Sequence, residues 1–592
     1  MRAPAWARSL SAALVAVGLQ CPGASQAACH IQSLELPVKM VGNRAVATVG
    51  IDGTKVPLVV DTGAFYSLLT EAAAAQLNLK VVPLPGRVKV DGLTGRIDAR
   101  LTTVPRLQLL KGDMHDVDFV VGGNEPGGGA MGLLGRNLLA VTDTEYDLAH
   151  GVVRLVFPSD ECGKANMAYW AAPDTPVSEL ALAREFPART PAIRSTIELN
   201  GHKMIAVFDS GARTLVSLDA ARRAGVADEG MTPDGQAYGL GTRQAKQWIA
   251  KFDKVDFGGE AIQHNRLEVV DYDMSEDMLI GIDFFLSHHI YVSQQQSRMF
   301  FTYEGGPVFA LNHGDRGDRD ASGGGTESLT ANELARRGAA ALSRGDAAGA
   351  LADLDRACAL APASADIFTT RAAVHLSQGH RDLALADLET ALRLEPSQEL
   401  GRLTRATIHA AQGKRDLALE DLAVLDKQLA PQSDSRRTMA SVYDELDMPA
   451  QALSQWTLWI ADHQHDIGLV EAHNSRCRDR VELGVELDKA LADCDEAIDA
   501  DARNSSFLDS RGWVYLRMGK PQKALADFNR GLAIKPDGAS SLYGRGLVHL
   551  ALGEASAAQA DLAAARKAQP DIDDSVRKSG LPLAPGAPAA RP

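Results

Sequence analysis

The chain has 592 residues, with 76 acidic against 61 basic side chains and a formal net charge of −15. That balance speaks against nucleic acid or an anionic membrane surface as a partner, and the length calls for several domains, each with its own core. Six cysteines, no zinc-like Cys/His spacing and no cofactor fingerprint leave no cofactor or metal to expect.

The first 27 residues read as a secretory signal. Arg2 and Arg8 give the positive start, Leu10 to Leu19 the apolar run, and Ser25-Gln26-Ala27 a small-residue cleavage site. The apolar run is too short to span a bilayer, which takes about 20 residues, and no later segment approaches that length. The expectation is an exported protein without stable membrane insertion, placed in a bacterial periplasm or secreted. Export permits disulfides, and Cys29 and Cys162 bracket the first β-rich segment, so a bridge between them is expected. Cys477 and Cys494 could form a second, and Cys358 is left as a buried free thiol.

Residues 28–165 and 166–310 repeat one another. Asp52-Gly53 and Asn200-Gly201 are two-residue hairpin turns flanked by alternating apolar residues. An apolar strand then leads into Asp61-Thr62-Gly63-Ala64 in the first copy and Asp209-Ser210-Gly211-Ala212 in the second, offset by 209 − 61 = 148 residues. A short helix follows each, starting at the hydroxyl residues Thr70 and Ser217 with an acid in its first turn. Leu133-Leu134-Gly135-Arg136-Asn137 answers Leu279-Ile280-Gly281-Ile282-Asp283, 135 − 61 = 74 and 281 − 209 = 72 residues beyond the aspartates. The Gly-rich stretch 121–130 exists only in the first copy and reads as a surface loop. The Pro-containing stretch 170–190 reads as a connector.

These paired motifs resemble the retropepsin family of aspartic peptidases over residues 35–305. The resemblance implies an all-β bilobal protease fold in which Asp61 and Asp209 are catalytic, share one proton and activate a water. Thr62, Gly63, Ser210 and Gly211 support the dyad: the glycines allow close approach and the hydroxyls bond across to the opposite loop. Flaps are expected at Gly92, Leu93, Thr94 and Gly95 and at Tyr238, Gly239, Leu240 and Gly241. The substrate is then a polypeptide. Alanine at Ala64 and Ala212 cannot donate a side-chain hydrogen bond to the carboxylates, so a mildly acidic to neutral optimum is expected.

Residues 311–330 read as a flexible Gly-rich linker. From 331 to 570 small residues recur every 34 positions (Gly338, Ala372, Ala406, Ala440, then Gly512 and Gly546), each followed twelve residues on by an alanine, and prolines mark the unit ends. This pattern resembles the tetratricopeptide repeat, about seven times over, and implies an all-α solenoid whose concave face binds a protein partner. Residues 571–592 read as a disordered tail. The whole chain is thus expected to be a multidomain aspartic endopeptidase with a recruiting solenoid, the alternative being a non-catalytic peptide-binding scaffold.

Overall fold

The computed structural model describes residues 29–84, 90–92, 95–110, 112–183, 192–237, 245–272, 276–306, 308–309, 329–466 and 468–587. The expected signal segment and residues 311–328 of the expected linker lie outside them. The chain forms two compact units, one ending at Gln398 and one beginning at Glu399.

In the first unit the two β lobes follow one plan. Strands Arg44–Ile51 and Thr54–Val60 form a hairpin on Asp52-Gly53, and strands Arg194–Leu199 and His202–Phe208 form another on Asn200-Gly201. All four turn residues have positive φ, as this tight turn requires. In lobe 1, strand Gly132–Leu134 lies parallel to Val59–Val60 and antiparallel to Leu68–Leu69. In lobe 2, Met278–Ile280 does the same between Ala206–Phe208 and Leu215–Val216. The short helices Glu71–Gln76 and Leu218–Arg223 are capped by Thr70 and Ser217, whose hydroxyls accept from Ala73 N at 3.1 Å and Ala220 N at 3.2 Å.

The lobes are joined by hydrogen-bonded sheet. Strand Asp143–Asp147 of lobe 1 runs antiparallel to His288–Ser293 of lobe 2, with Glu145 opposite Tyr291. Leu133 and Leu279 differ by 279 − 133 = 146, and Glu145 and Tyr291 by the same 291 − 145 = 146, so these counterparts face each other on the pseudo-twofold axis. Strand Ser178–Ala181 extends this sheet along Arg298–Tyr303. The segment expected to be a bare connector therefore contains an edge strand, because Leu180 reaches the core.

Cys29 and Cys162 are disulfide-bonded, tying the ends of lobe 1, and so are Cys477 and Cys494; Cys358 is free and buried.

Two helix pairs complete the first unit: Ala331–Ser343 with Ala347–Leu360, and Ala365–Ser377 with Arg381–Leu394. The second unit has five: Glu399–Ala411 with Arg415–Gln428, Ser435–Glu445 with Pro449–Asp462, Leu469–Leu483 with Leu487–Ala500, Ser505–Arg517 with Pro521–Ile534, and Ala539–Ala551 with Ala555–Ala568. The recurring small residues sit where helices touch. A Cβ at Gly512 would stand 2.6 Å from the Phe528 ring, and one at Gly546 2.8 Å from Leu562. The alanines Ala350, Ala384, Ala418, Ala452, Ala524 and Ala558 are fully buried. A second periodic pair escapes the apolar pattern. An arginine precedes most of the small residues and forks onto an aspartate three positions after the alanine: Arg337–Asp353, Arg371–Asp387, Arg405–Asp421, Arg511–Asp527 and Arg545–Asp561. Each pair is two parallel charge-assisted bonds, the geometry guanidinium offers a carboxylate.

Two boundaries differ from the sequence reading. Ala339 and Ala340 of the first repeat helix are buried in the core of the β lobes, so the repeats do not begin as a separate body. Beyond residue 570, helix Ile572–Lys578 covers the last pair with Ile572, Val576 and Leu581, and Ala584 N donates to Tyr543 Oη at 2.9 Å. A disordered tail was expected there; Ile572, Val576, Leu581 and Ala584 instead join the apolar core of the last repeats.

Opening the bridge that spans 133 residues, by Cys29→Ser with Cys162→Ser, should lower stability by about 4 kcal/mol in urea denaturation. A chain ended at Gln398 should fold with one cooperative transition. One ended at Gly306 exposes the surface under Ala339 and Ala340 and should be less stable by roughly 2–4 kcal/mol.

Candidate active site

Each aspartate stands at the end of a buried strand, fixed by a backbone bond from the crossing strand. Asp61 N donates to Leu134 O at 3.0 Å, and Asp209 N donates to Ile280 O at 2.8 Å. The second motif is clamped by hydroxyls that the sequence reading missed. Ser67 N and Oγ both donate to Asn137 Oδ1, at 2.7 and 2.9 Å, and Ser67 Oγ accepts from Gly135 N at 3.0 Å. Thr214 repeats this with Asp283 Oδ1, at 3.2 and 2.8 Å, and accepts from Gly281 N at 2.9 Å. Their signal was present: a hydroxyl residue stands 67 − 61 = 6 and 214 − 209 = 5 residues after the aspartates. Burial pushes the Asp283 carboxyl up to about 6, against the bonds from Thr214.

The two loops grip each other reciprocally. Thr62 Oγ1 donates to Phe208 O at 2.8 Å and accepts from Ser210 N at 2.9 Å. Ser210 Oγ donates to Val60 O at 2.8 Å and accepts from Thr62 N at 3.2 Å. Both hydroxyl residues are fully buried, so each lobe satisfies main-chain groups of the other. The glycines permit the approach by lacking a side chain, not through unusual φ. A Cβ on Gly63 would overlap the Asp209 carboxyl, and one on Gly211 would stand 2.5 Å from Asp61 Cγ.

The carboxyl groups of Asp61 and Asp209 therefore meet, each lying over the other's glycine, and hydrogen-bond to one another. Burial and the charge of Asp209 raise the Asp61 carboxyl well above its ordinary value, against the N–H of Ala64, which reaches Asp61 Oδ1 at 2.7 Å. Asp209 is also raised by burial, but less. The Gly211 N–H at 2.9 Å, the bond from Asp61, the Gly63 N–H and the charge of Arg136 oppose the rise. Two carboxyls this close do not both ionise readily, and their titration belongs to the pair rather than to either aspartate. Arg136, whose counterpart is Ile282, makes the two lobes electrostatically unequal. Asp61, Thr62, Gly63, Asp209, Ser210 and Gly211 are thus brought together.

Of the expected flaps, Gly92 and Gly95 face each other across the hairpin of Val90–Gly92 and Gly95–Ile97. Leu93, Thr94, Tyr238, Gly239, Leu240 and Gly241 lie outside the described residues; strands Thr232–Ala237 and Ala245–Asp256 lead to the second tip. The Gly-rich stretch after Val121 is not a free surface loop. Asn124 and Ala130 are buried, and Pro126 O accepts from Arg44 Nε at 3.0 Å. Among the described residues no cluster of three or more His, Cys, Asp or Glu side chains is arranged to hold a metal, and no helix is long and apolar enough to cross a membrane.

Residues 47–138 and 195–284 each match the family model described as aspartyl protease, and residues 506–537 match that of the tetratricopeptide repeat. No curated protein matches the chain. Solved structures similar to it include YrrB, described as a tetratricopeptide repeat protein with an unusual peptide-binding site. It is 18% identical, with 32% of this chain and 97% of that one covered and a TM-score of 0.30. A tetratricopeptide repeat protein from Parabacteroides merdae is 20% identical, with 42% and 98% covered and a TM-score of 0.31.

Thr62→Val should cost about 2–4 kcal/mol in denaturant unfolding, because Phe208 O and Ser210 N both lose their partner in a buried contact. Thr62→Ser should retain most of that stability.

Proposed function

We propose that this chain, with two tandem aspartyl-protease lobes followed by tetratricopeptide repeats, is an aspartic endopeptidase acting through a single Asp61/Asp209 dyad. The observation that carries the reading is the pair of buried carboxyls, one from each lobe of one chain, set against each other. One member of the pair is ionised and takes a proton from a water as that water attacks the scissile carbonyl carbon. The other gives its proton to the carbonyl oxygen, producing a tetrahedral diol. As the C–N bond breaks, a diol hydroxyl returns its proton to the carboxylate that had donated one, and the amine leaves with the proton taken from the water, which restores the pair. The hairpin around Gly92 and Gly95 is the candidate flap over the substrate. Removal of the N-terminal segment on export to a periplasm or beyond is consistent with the two disulfides, and the repeats recruit a polypeptide substrate or partner.

Asp61→Asn and Asp209→Asn should each abolish hydrolysis of a diverse peptide library, with rate proportional to monomer concentration in the wild type. A wild type that cleaves nothing from pH 3 to 8 would leave a peptide-binding scaffold instead. Activity should be bell-shaped in pH, falling in acid as the pair becomes doubly protonated and in base as its shared proton is lost. Stability follows the same proton. Because folding raises the Asp61 carboxyl above its ordinary value of 3.8, the folded state binds the proton more tightly, and stability declines as pH rises through the raised value. Either Asn variant removes that like-charge contact, so its Tm should exceed the wild type's at pH 8 by more than at pH 4.

A further inference from the structure

One interlobe contact has no twin. Arg44, at the start of strand Arg44–Ile51, donates from Nη1 to Gly211 O at 2.6 Å while its Nε holds Pro126 O. Gly211 also donates its N–H to Asp209 Oδ1 and lies under the Asp61 carboxyl. At the duplication offset, 44 + 148 = 192, lobe 2 has Ala192, which has no side-chain donor. A glycine loop without a Cβ is conformationally loose, and a charge-assisted bond from outside restrains it more firmly than a neutral one. The second aspartate loop alone receives this restraint from Arg44.

Arg44 is itself placed by the repeat region. It follows the turn at Gly42, whose φ is 56° and whose carbonyl accepts from Ser343 Oγ at 2.6 Å, a donor shared with Ala339 O at 3.1 Å. Ser343 ends the first repeat helix, Ala331–Ser343. That helix is anchored on both lobes. Ala339 and Ala340 enter the β core, a Cβ on Gly151 would stand 2.5 Å from Arg336 Cβ, and Arg344 Nη1 donates to Leu286 O at 3.1 Å. A continuous series of contacts therefore runs from the first repeat helix through the Gly42 turn and Arg44 to Gly211 and Asp209.

We propose that Arg44 is a positioning residue for the dyad, held in place by the first repeat helix, so that the repeat region sets the activity of the lobes as well as their partners. The kinetic part of this rests on the endopeptidase reading above; the physical linkage does not.

The test uses the full-length chain with Arg44→Ala, Arg44→Lys and Ser343→Ala, and Arg106→Ala as a control in an exposed ion pair of the same lobe. Hydrogen–deuterium exchange of residues 209–216 should quicken roughly tenfold in Arg44→Ala, return part of the way in Arg44→Lys, and stay at the wild-type rate in Arg106→Ala. Ser343→Ala should quicken exchange at residues 42–46. On a peptide the wild type cleaves, Arg44→Ala should lower kcat about 10- to 100-fold, with KM within about twofold. Unchanged exchange at 209–216 in Arg44→Ala overturns the proposal. So does an unchanged kcat on a substrate that the wild type turns over. If the wild type cleaves no peptide, the endopeptidase reading fails, while the exchange data still decide whether Arg44 holds the loop.

Discussion

The reciprocal hydrogen bonding of Thr62 and Ser210 is the constraint on which the rest of the candidate site depends. Each hydroxyl donates to a main-chain carbonyl just before the opposite aspartate and accepts from a main-chain N–H just after it. Four buried main-chain groups are satisfied only if the lobes stay in register. That register places each carboxyl over a residue without a side chain, and the same closeness forces the two acids to share a proton. Chemistry and lobe docking thus use the same few atoms.

The pseudo-symmetry is maintained where it fixes geometry and broken where it sets charge. The hairpin turns, the clamps of Ser67 on Asn137 and of Thr214 on Asp283, and the facing of Glu145 and Tyr291 on the axis all repeat between the lobes. Arg136 and Arg44 do not, since their counterparts are Ile282 and Ala192. A homodimer with one gene for both loops must keep its halves identical. A fused duplication is free to let its halves differ, and here burial raises Asp209 while the Gly211 N–H and, more weakly, the charge of Arg136 oppose the rise.

The helical region is organised by two devices of equal period. Small residues bring the paired helices into contact, and the arginine beside most of them forks onto an aspartate of the partner helix. In the unit of Ala440 a methionine, Met439, stands before the small residue and Gln455 stands in place of the aspartate; Arg436, three residues earlier, bonds to Gln455 and to Asp426 instead. The first of these helices is also part of the β body, which joins repeats and β lobes at the level of packing.

Much of this was legible in the residues themselves. Turn chemistry, capping hydroxyls and a 34-residue period are local or periodic, so the hairpins, the short helices and the repeat pairs could be read from the sequence. The two Asp-(Thr/Ser)-Gly loops carried their own chemistry through residue type and spacing. What local pattern does not encode is which distant groups meet. The edge strand at Ser178–Ala181, the ordering of residues 572–584, the burial of Ala339 and Ala340 in the lobes, and the reach of Arg44 to Gly211 all depend on surfaces that exist only once the chain has folded. An alanine on a helix or an arginine after a turn has the same local signature whether it meets water or another lobe. Sequence by itself determined the parts and their chemistry. Tertiary structure alone decided their contacts, because burial and long-range hydrogen bonding are properties of the folded chain rather than of any segment.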